Sequence, residues 1–182
     1  MIVNKLKSAC LRRQGFSLIE TMVAIMVLVM VITGPITLAA NSLKSASISK
    51  NNFTAANLAQ EGIELIRLYR TNNVIQGKDW LEDIMPPGPS EHCNGSSGHT
   101  CYIDAKTFQV NSCNGNKCAP FLLIDSGGFY NYISGTASIF KRNIVVDTIS
   151  GNAARVTVTI DWNERFGNQS IVLEEIIHDW IQ

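Results

Sequence analysis

The sequence is poor in the groups that catalysis and nucleic-acid binding draw on. Its 182 residues include only three histidines. There is no HExxH, no Gly-rich phosphate loop and no recognisable nucleophile–base–acid set. The residues therefore give no grounds for catalysis and call for no cofactor. Charged residues are scarce, at 16%, and balanced, with 15 Lys and Arg against 15 Asp and Glu. The basic excess that marks many nucleic-acid binders is missing. The most informative gap is local. From Phe16 to Ala40, FSLIETMVAIMVLVMVITGPITLAA, the only ionisable side chain is Glu20.

That run is long enough to cross a bilayer as a helix, for which ~20 apolar residues suffice. A lone carboxylate in such a run is costly in lipid and marks a functional position by default. The run follows a short segment, Met1–Gly15, that carries Lys5, Lys7, Arg12 and Arg13 and no acid. This segment reads as a targeting leader outside the fold. Its positive charge holds it in the cytoplasm and sends everything after Ala40 outside. An ordinary secretory signal cut after Ala40 also begins with basic residues. The run is long for such a signal, however, Leu38 is large where a small residue is preferred, and Glu20 would have no purpose. A plain membrane anchor accounts for Met22–Val31 but again leaves Glu20 unexplained.

The arrangement Arg12-Arg13, Gly15-Phe16, Ser17 and Glu20 ahead of a spanning run resembles the processing site of type IV pilins and pseudopilins. The resemblance covers the leader and the first helix. It implies cleavage after Gly15 by a membrane-embedded prepilin peptidase, methylation of the new N-terminus at Phe16, and a subunit-docking role for Glu20. Further implied partners are other pilin or pseudopilin subunits, the inner-membrane assembly machinery, and membrane lipid before assembly. Loss of the leader would leave a net charge of −4. The α-amine of Phe16 is largely cationic at neutral pH. Glu20, about one turn away, sits where the helix dipole favours a carboxylate. An incoming subunit can set Glu20 against the amine of a neighbour, which lowers the cost of both charges in an apolar surround. Gly34-Pro35 lies within the run. It is either an ordinary membrane-helix kink or, as in filament pilins, a place where the helix unwinds.

Asn41–Asn52 is polar but contains no helix breaker, so the helix is expected to continue. From Phe53 the stretch FTAANLAQEGIELIRLYRTNN puts Ala55, Leu58, Ala59, Gly62, Leu65, Ile66 and Tyr69 on one face. Ala59 and Gly62 thin this stripe and would let a sheet backbone approach closely, the alternative being that Gly62 merely weakens the helix. Glu64 and Arg67 form a surface pair elsewhere, and Asn72-Asn73 ends the helix. LAQEGIELIR is also similar to a segment that follows the membrane helix in many pilin-like proteins. One helix over Phe16–Asn72 would be roughly 85 Å long at ~1.5 Å per residue.

Pro86-Pro87-Gly88-Pro89 halts regular structure, and a Gly-, Asn- and Ser-rich stretch follows. Cys10 leaves with the leader. Cys93, Cys101, Cys113 and Cys118 remain, an even number in a short stretch outside the cytoplasm, which reads as two disulfides. Three connectivities are possible, and Cys93–Cys101 with Cys113–Cys118 is favoured because both loops are short and turn-rich. A zinc site drawing on His92, Cys93, His99, Cys101, Cys113 and Cys118 is the competing reading. Its spacing matches no common zinc ribbon, so no metal is expected. Asn94-Gly95-Ser96 has the form of a glycosylation acceptor.

The last third reads as strands. Ala119–Ile124 is an apolar run; Phe129–Ser134 and Thr136–Ser150 are rich in β-branched and aromatic residues. In Arg155–Trp162, Val156, Val158, Ile160 and Trp162 share one face. Ser170–Ile181 is less regular, with Ile171, Leu173 and Ile177 opposite Val172, Ile176 and Trp180. An antiparallel meander whose one face is covered by the helix stripe gives an α+β fold. This is a long N-terminal helix, membrane-spanning in its first half, packed on a C-terminal antiparallel sheet, as the pilin resemblance also implies. The expected organisation is a leader at 1–15, a spanning and assembly half-helix at 16–40, and an amphipathic half-helix at 41–72. An extracytoplasmic domain follows at 73–182, with a cysteine loop at 86–120 and a sheet at 119–182. The resulting expectation is a single-pass cytoplasmic-membrane protein, most like a minor pilin, that becomes a non-enzymatic subunit of a pilus or pseudopilus. The rival is an anchored binding module or enzyme outside any fibre.

Overall fold

The computed structural model describes residues 15, 17–86, 92–113, 118, 120–164 and 167–179. Contacts divide the chain into two units, Met1–Ile48 and Ser49–Gln182. The leader residues 1–14, Phe16, the Pro-rich residues 87–91 and Trp180–Gln182 lie outside the described residues, as do 114–117, Ala119 and 165–166.

One helix, α1 (Leu18–Ile75), supplies the regular structure of the first unit among the described residues and opens the second. In the second unit the expected stripe is buried: Ala55, Leu58, Ala59, Gly62, Leu65 and Ile66, joined by Ile63, with Tyr69 half-buried against the core. The helix runs past Asn72-Asn73 to Ile75, because Asn73 is a core residue and not a terminator. With its amide oriented to suit both partners, Asn73 donates to Asp83 Oδ2 at 2.7 Å and accepts from the Asp83 amide at 3.3 Å. The turns after the helix bring in Trp80, Leu81 and Ile84, all buried.

The main sheet is five-stranded, in the order β2-β1-β6-β7-β8. β6 (Phe140–Ser150), β7 (Ala153–Glu164) and β8 (Gly167–His178) form the expected meander. Val156, Val158, Ile160 and Trp162 all face the core. The remaining two strands are a correction: β1 (Thr100–Ile103) and β2 (Val110–Cys113) lie inside the stretch expected to be a loop, 86–120. They pair antiparallel, and Cys101 of β1 stands opposite Ile144 of β6. The sheet thus starts well before residue 119.

A second correction concerns Ala119–Ile124 and Thr136–Ser150, expected as continuous strands. Among the described residues only β3 (Leu123–Ile124) forms in the first, and β5 (Thr136–Ala137) is separated from β6 in the second. With β4 (Tyr130–Asn131) these make a small sheet ordered β4-β3-β5. The break is set locally: the Ser138 hydroxyl accepts from the Phe140 amide at 3.1 Å, while the Ser138 amide bonds Leu122 O at 2.8 Å.

Gly62 decides how closely helix and sheet approach. A Cβ there would lie 2.9 Å from Val158 Cγ1 and 3.3 Å from Arg142 Cδ. The close neighbours are side chains, not sheet backbone, but the need for a small residue is as the sequence implies.

Candidate processing and assembly segment

Gly15 is exposed and non-helical, immediately ahead of the helix start. The carbonyl of Ser17 accepts from the Thr21 amide at 3.2 Å, an α-helical bond at the head of α1. Glu20 falls in the first turn. The amides there have no intrahelical acceptor, and the positive end of the dipole favours its carboxylate. The side chain is exposed, and Phe16, whose amine it was expected to serve, lies outside the described residues.

The side chains that follow are solvent-facing all round the helix. Leu18 is 78% exposed and Leu38 70%, and Met22 to Ile32 are exposed throughout. The most apolar window of α1 has a mean hydropathy of 2.4, none of it buried within the chain. An apolar surface of that extent needs lipid or protein around it. The helix continues through Gly34-Pro35 without a break. The Thr33 hydroxyl donates to Met30 O at 3.1 Å and the Thr37 hydroxyl to Thr33 O at 2.9 Å. Polar side chains around the proline are thereby satisfied inside the helix, as lipid requires.

The four cysteines form two disulfides, Cys93–Cys101 and Cys113–Cys118. All four sulfurs are thus committed, which removes the thiolates a zinc site would use; among the described residues no group of three potential ligands gathers. The first bridge ties the loop at 92–99 to β1. That loop also packs on β6: Val146 N donates to Cys93 O at 2.7 Å, and a Cβ on Gly95 would collide with Val145 and Asp147. Asn94 of the glycosylation-like triplet uses its side chain to accept from the Ser96 amide at 3.0 Å, within this packed turn.

Two polar clusters escaped the sequence reading. Arg142 is fully buried. Its guanidinium donates to Ile103 O at 2.7 Å, to Glu61 Oε1 at 3.1 Å and to Leu58 O at 3.4 Å. It therefore ties α1 to β6 and to the end of β1. The signal was available, since Arg142 shares an alternating face with Phe140, Ile144 and Val146. Tyr132 lies beside it, the guanidinium 5.9 Å from its ring centre; burial, partly opposed by Arg142, pushes the phenol up to about 12. The second cluster centres on Asp104, at the turn between β1 and β2. Its carboxylate accepts from the amides of Tyr132, Thr107 and Lys106 and from the Thr107 hydroxyl. Burial works against the ionised form, but these donors outweigh it and hold the carboxyl below its ordinary value. Phe108, in the same turn, has a φ of 54°, unusual for a bulky residue.

In comparison with known proteins, residues 10–34 match the family model of the prokaryotic N-terminal methylation motif. The match takes in Gly15, Phe16, Glu20 and most of the exposed apolar run. No curated protein and no solved structure matches the chain.

Proposed function

We propose, from this type IV pilin signature, that the chain is a structural subunit of a type IV pilus-like filament or of a type II secretion or competence pseudopilus. The observation that carries the reading is the methylation motif lying at the head of a helix whose apolar run, from Leu18 to Leu38, is exposed. In this reading prepilin peptidase removes residues 1–15 by cutting after Gly15, and Phe16 becomes the methylated N-terminus. Residues 16–40 hold the subunit in the cytoplasmic membrane until they pack against neighbouring subunits. Residues 41–72 continue the helix, and 73–182 form the extracytoplasmic domain. The chain is a substrate and a building block, not an enzyme.

Glu20 gives the docking its chemistry. An exposed carboxylate in the first helical turn complements the cationic amine of a neighbouring subunit's Phe16, and both charges are cheaper together than apart in an apolar surround. Inner-membrane assembly machinery supplies the moving parts.

Intact-mass and N-terminal analysis of the membrane-extracted protein tests this directly. A methylated start at Phe16 is expected. A retained leader, or a start at Asn41, would overturn the reading in favour of an anchored domain or a secreted one.

A further inference from the structure

β8 is the edge of the main sheet, and it is held by α1 at its end, where the His178 carbonyl accepts from Arg70 Nη1 at 3.0 Å. All its residues pair in unbroken register with β7, from Gly167 opposite Glu164 to His178 opposite Ala153. Among the described residues no strand pairs with its other side. Natural edges are normally blunted by charged side chains, above all lysine, by proline, a bulge or brevity, and the only charges on β8 are acidic, Glu174 and Glu175. Gly167–His178 has no lysine, arginine or proline, no bulge, and twelve residues. Val172 and Ile176, on the face away from α1, are 56% and 50% exposed.

The space beside the edge is also shaped. A groove of about 590 Å³ runs between α1 and β8, with Asn57 and Gln60 on the helix side and Leu173 on the strand side. Its charge is lopsided. Glu61, Glu64, Glu174 and Glu175 line it against a single lining cation, Arg67. Arg67 is already engaged by Glu64 at 2.6 Å and Glu175 at 2.5 Å, and Glu61 faces the buried Arg142.

We infer that β8 accepts an extended strand from another protein, one reading apolar–x–basic–x–apolar along its outer face. Backbone pairing supplies the affinity, and side chains at alternate positions supply the choice of partner. The apolar positions lie beside Val172 and Ile176, and the basic one beside Glu174; the inward side chains enter the groove below α1. A second copy fits poorly. Antiparallel self-pairing that matches Val172 to Ile176 puts Glu174 directly opposite Glu174, which is unfavourable. The sheet's other edge, β2, offers only four residues and no charge.

The test uses the mature full-length chain in lipid nanodiscs and amide hydrogen exchange over residues 167–178. One probe is a ten-residue peptide alternating threonine with apolar residues and carrying a lysine between two valines on one face; the other replaces that lysine by glutamate. At a peptide concentration about ten times its Kd, the lysine peptide should slow β8 exchange about tenfold. The glutamate peptide should not, and Glu174→Lys should reverse the preference. Val172→Lys should abolish protection with thermal unfolding unchanged. Equal protection by both peptides, or none by either at millimolar concentration, would overturn the inference. So would protection that rises with protein concentration alone, the mark of a second copy. The inference is independent of fibre docking, since Glu20 lies outside the unit that holds β8.

Discussion

Leu18–Ile48 and Ser49–Ile75 are consecutive stretches of one helix, and both are rich in apolar side chains. In the first, apolar residues lie on all sides and none is buried by the chain; in the second most of them form a stripe that is buried from Ala55 to Ile66, while Phe53, Leu68 and Ile75 stay exposed. The difference is one of pattern. A helix that is apolar all round needs an apolar surround, whereas a helix with one apolar face needs a single partner surface. Residue size differs as well. The first stretch is dominated by large aliphatics, while the stripe includes Ala55, Ala59 and Gly62, which let Val158 and Arg142 approach. The first stretch leaves its apolar surface uncovered by the chain, and the second buries an apolar face within its own unit.

The sharpest way to test the division is at its start. Gly15→Val should block leader removal outright, leaving full-length protein in the membrane, as an immunoblot of the membrane fraction would report. Normal maturation would detach the exposed half-helix from any processing role. Glu20→Ala should mature normally but dock poorly. Leaving the partner amine unpaired costs on the order of 3–5 kcal/mol, which lowers incorporation by a factor of hundreds at ~1.4 kcal/mol per tenfold. Comparison of membrane and sheared-fibre fractions measures it. Equal recovery of variant and wild type would reduce the first stretch to an anchor.

A paired substitution then probes the comparison itself. Ile66→Ala, in the stripe, should cost the second unit about 2–5 kcal/mol by denaturant unfolding, as core truncations do. Ile25→Ala, in the exposed run, should leave that unit's stability unchanged. Similar losses from both would mean that the two stretches are not energetically distinct. Breaking Cys93–Cys101 by Cys101→Ser should destabilise the second unit by about 2–4 kcal/mol without altering membrane insertion.

Much of this division is legible in the sequence, because it rests on local periodicity. The unbroken apolar run, the stripe from Ala55 and the alternation of β7 each declare themselves within a dozen residues. Nearest-neighbour sulfur pairing also follows from short, turn-rich loops. What could not be read depends on distant partners. Thr100–Ile103 becomes a strand because β6 and β2 flank it, and the surrounding Gly, Asn and Ser suggest only loop. Arg142 sits on a legible alternating face with Phe140, Ile144 and Val146, but its partners, the Leu58 and Ile103 carbonyls and Glu61, come from distant stretches. Asn73 looks like a helix stop until Asp83 folds back on it.

The smallest effect concerns pH, and it belongs to the second unit alone. The donors around Asp104 hold its folded pKa below the ordinary 3.8. The stabilisation is therefore complete above that pH and is lost as acidification proceeds through the lower folded value. Asp104→Asn should start less stable at neutral pH and show a flatter decline below 3.8, measured by denaturant unfolding at a series of pH values. An identical acid slope would mean that these donors do not favour the carboxylate.

The placing of the two bridges also bears on how the second unit would respond to tension. They close sequence separations of only 8 and 5 residues. At ~3.5 Å per extended residue, together they withhold about 45 Å of contour from a stretched chain. Most of the unit therefore lies outside covalent protection. Its resistance to pulling must come from the laterally bonded ribbon β6-β7-β8, in which long antiparallel strands share load across many amides at once. Reduction of the sulfurs would lengthen a force–extension trace slightly, while the height of its main rupture would still be set by that ribbon.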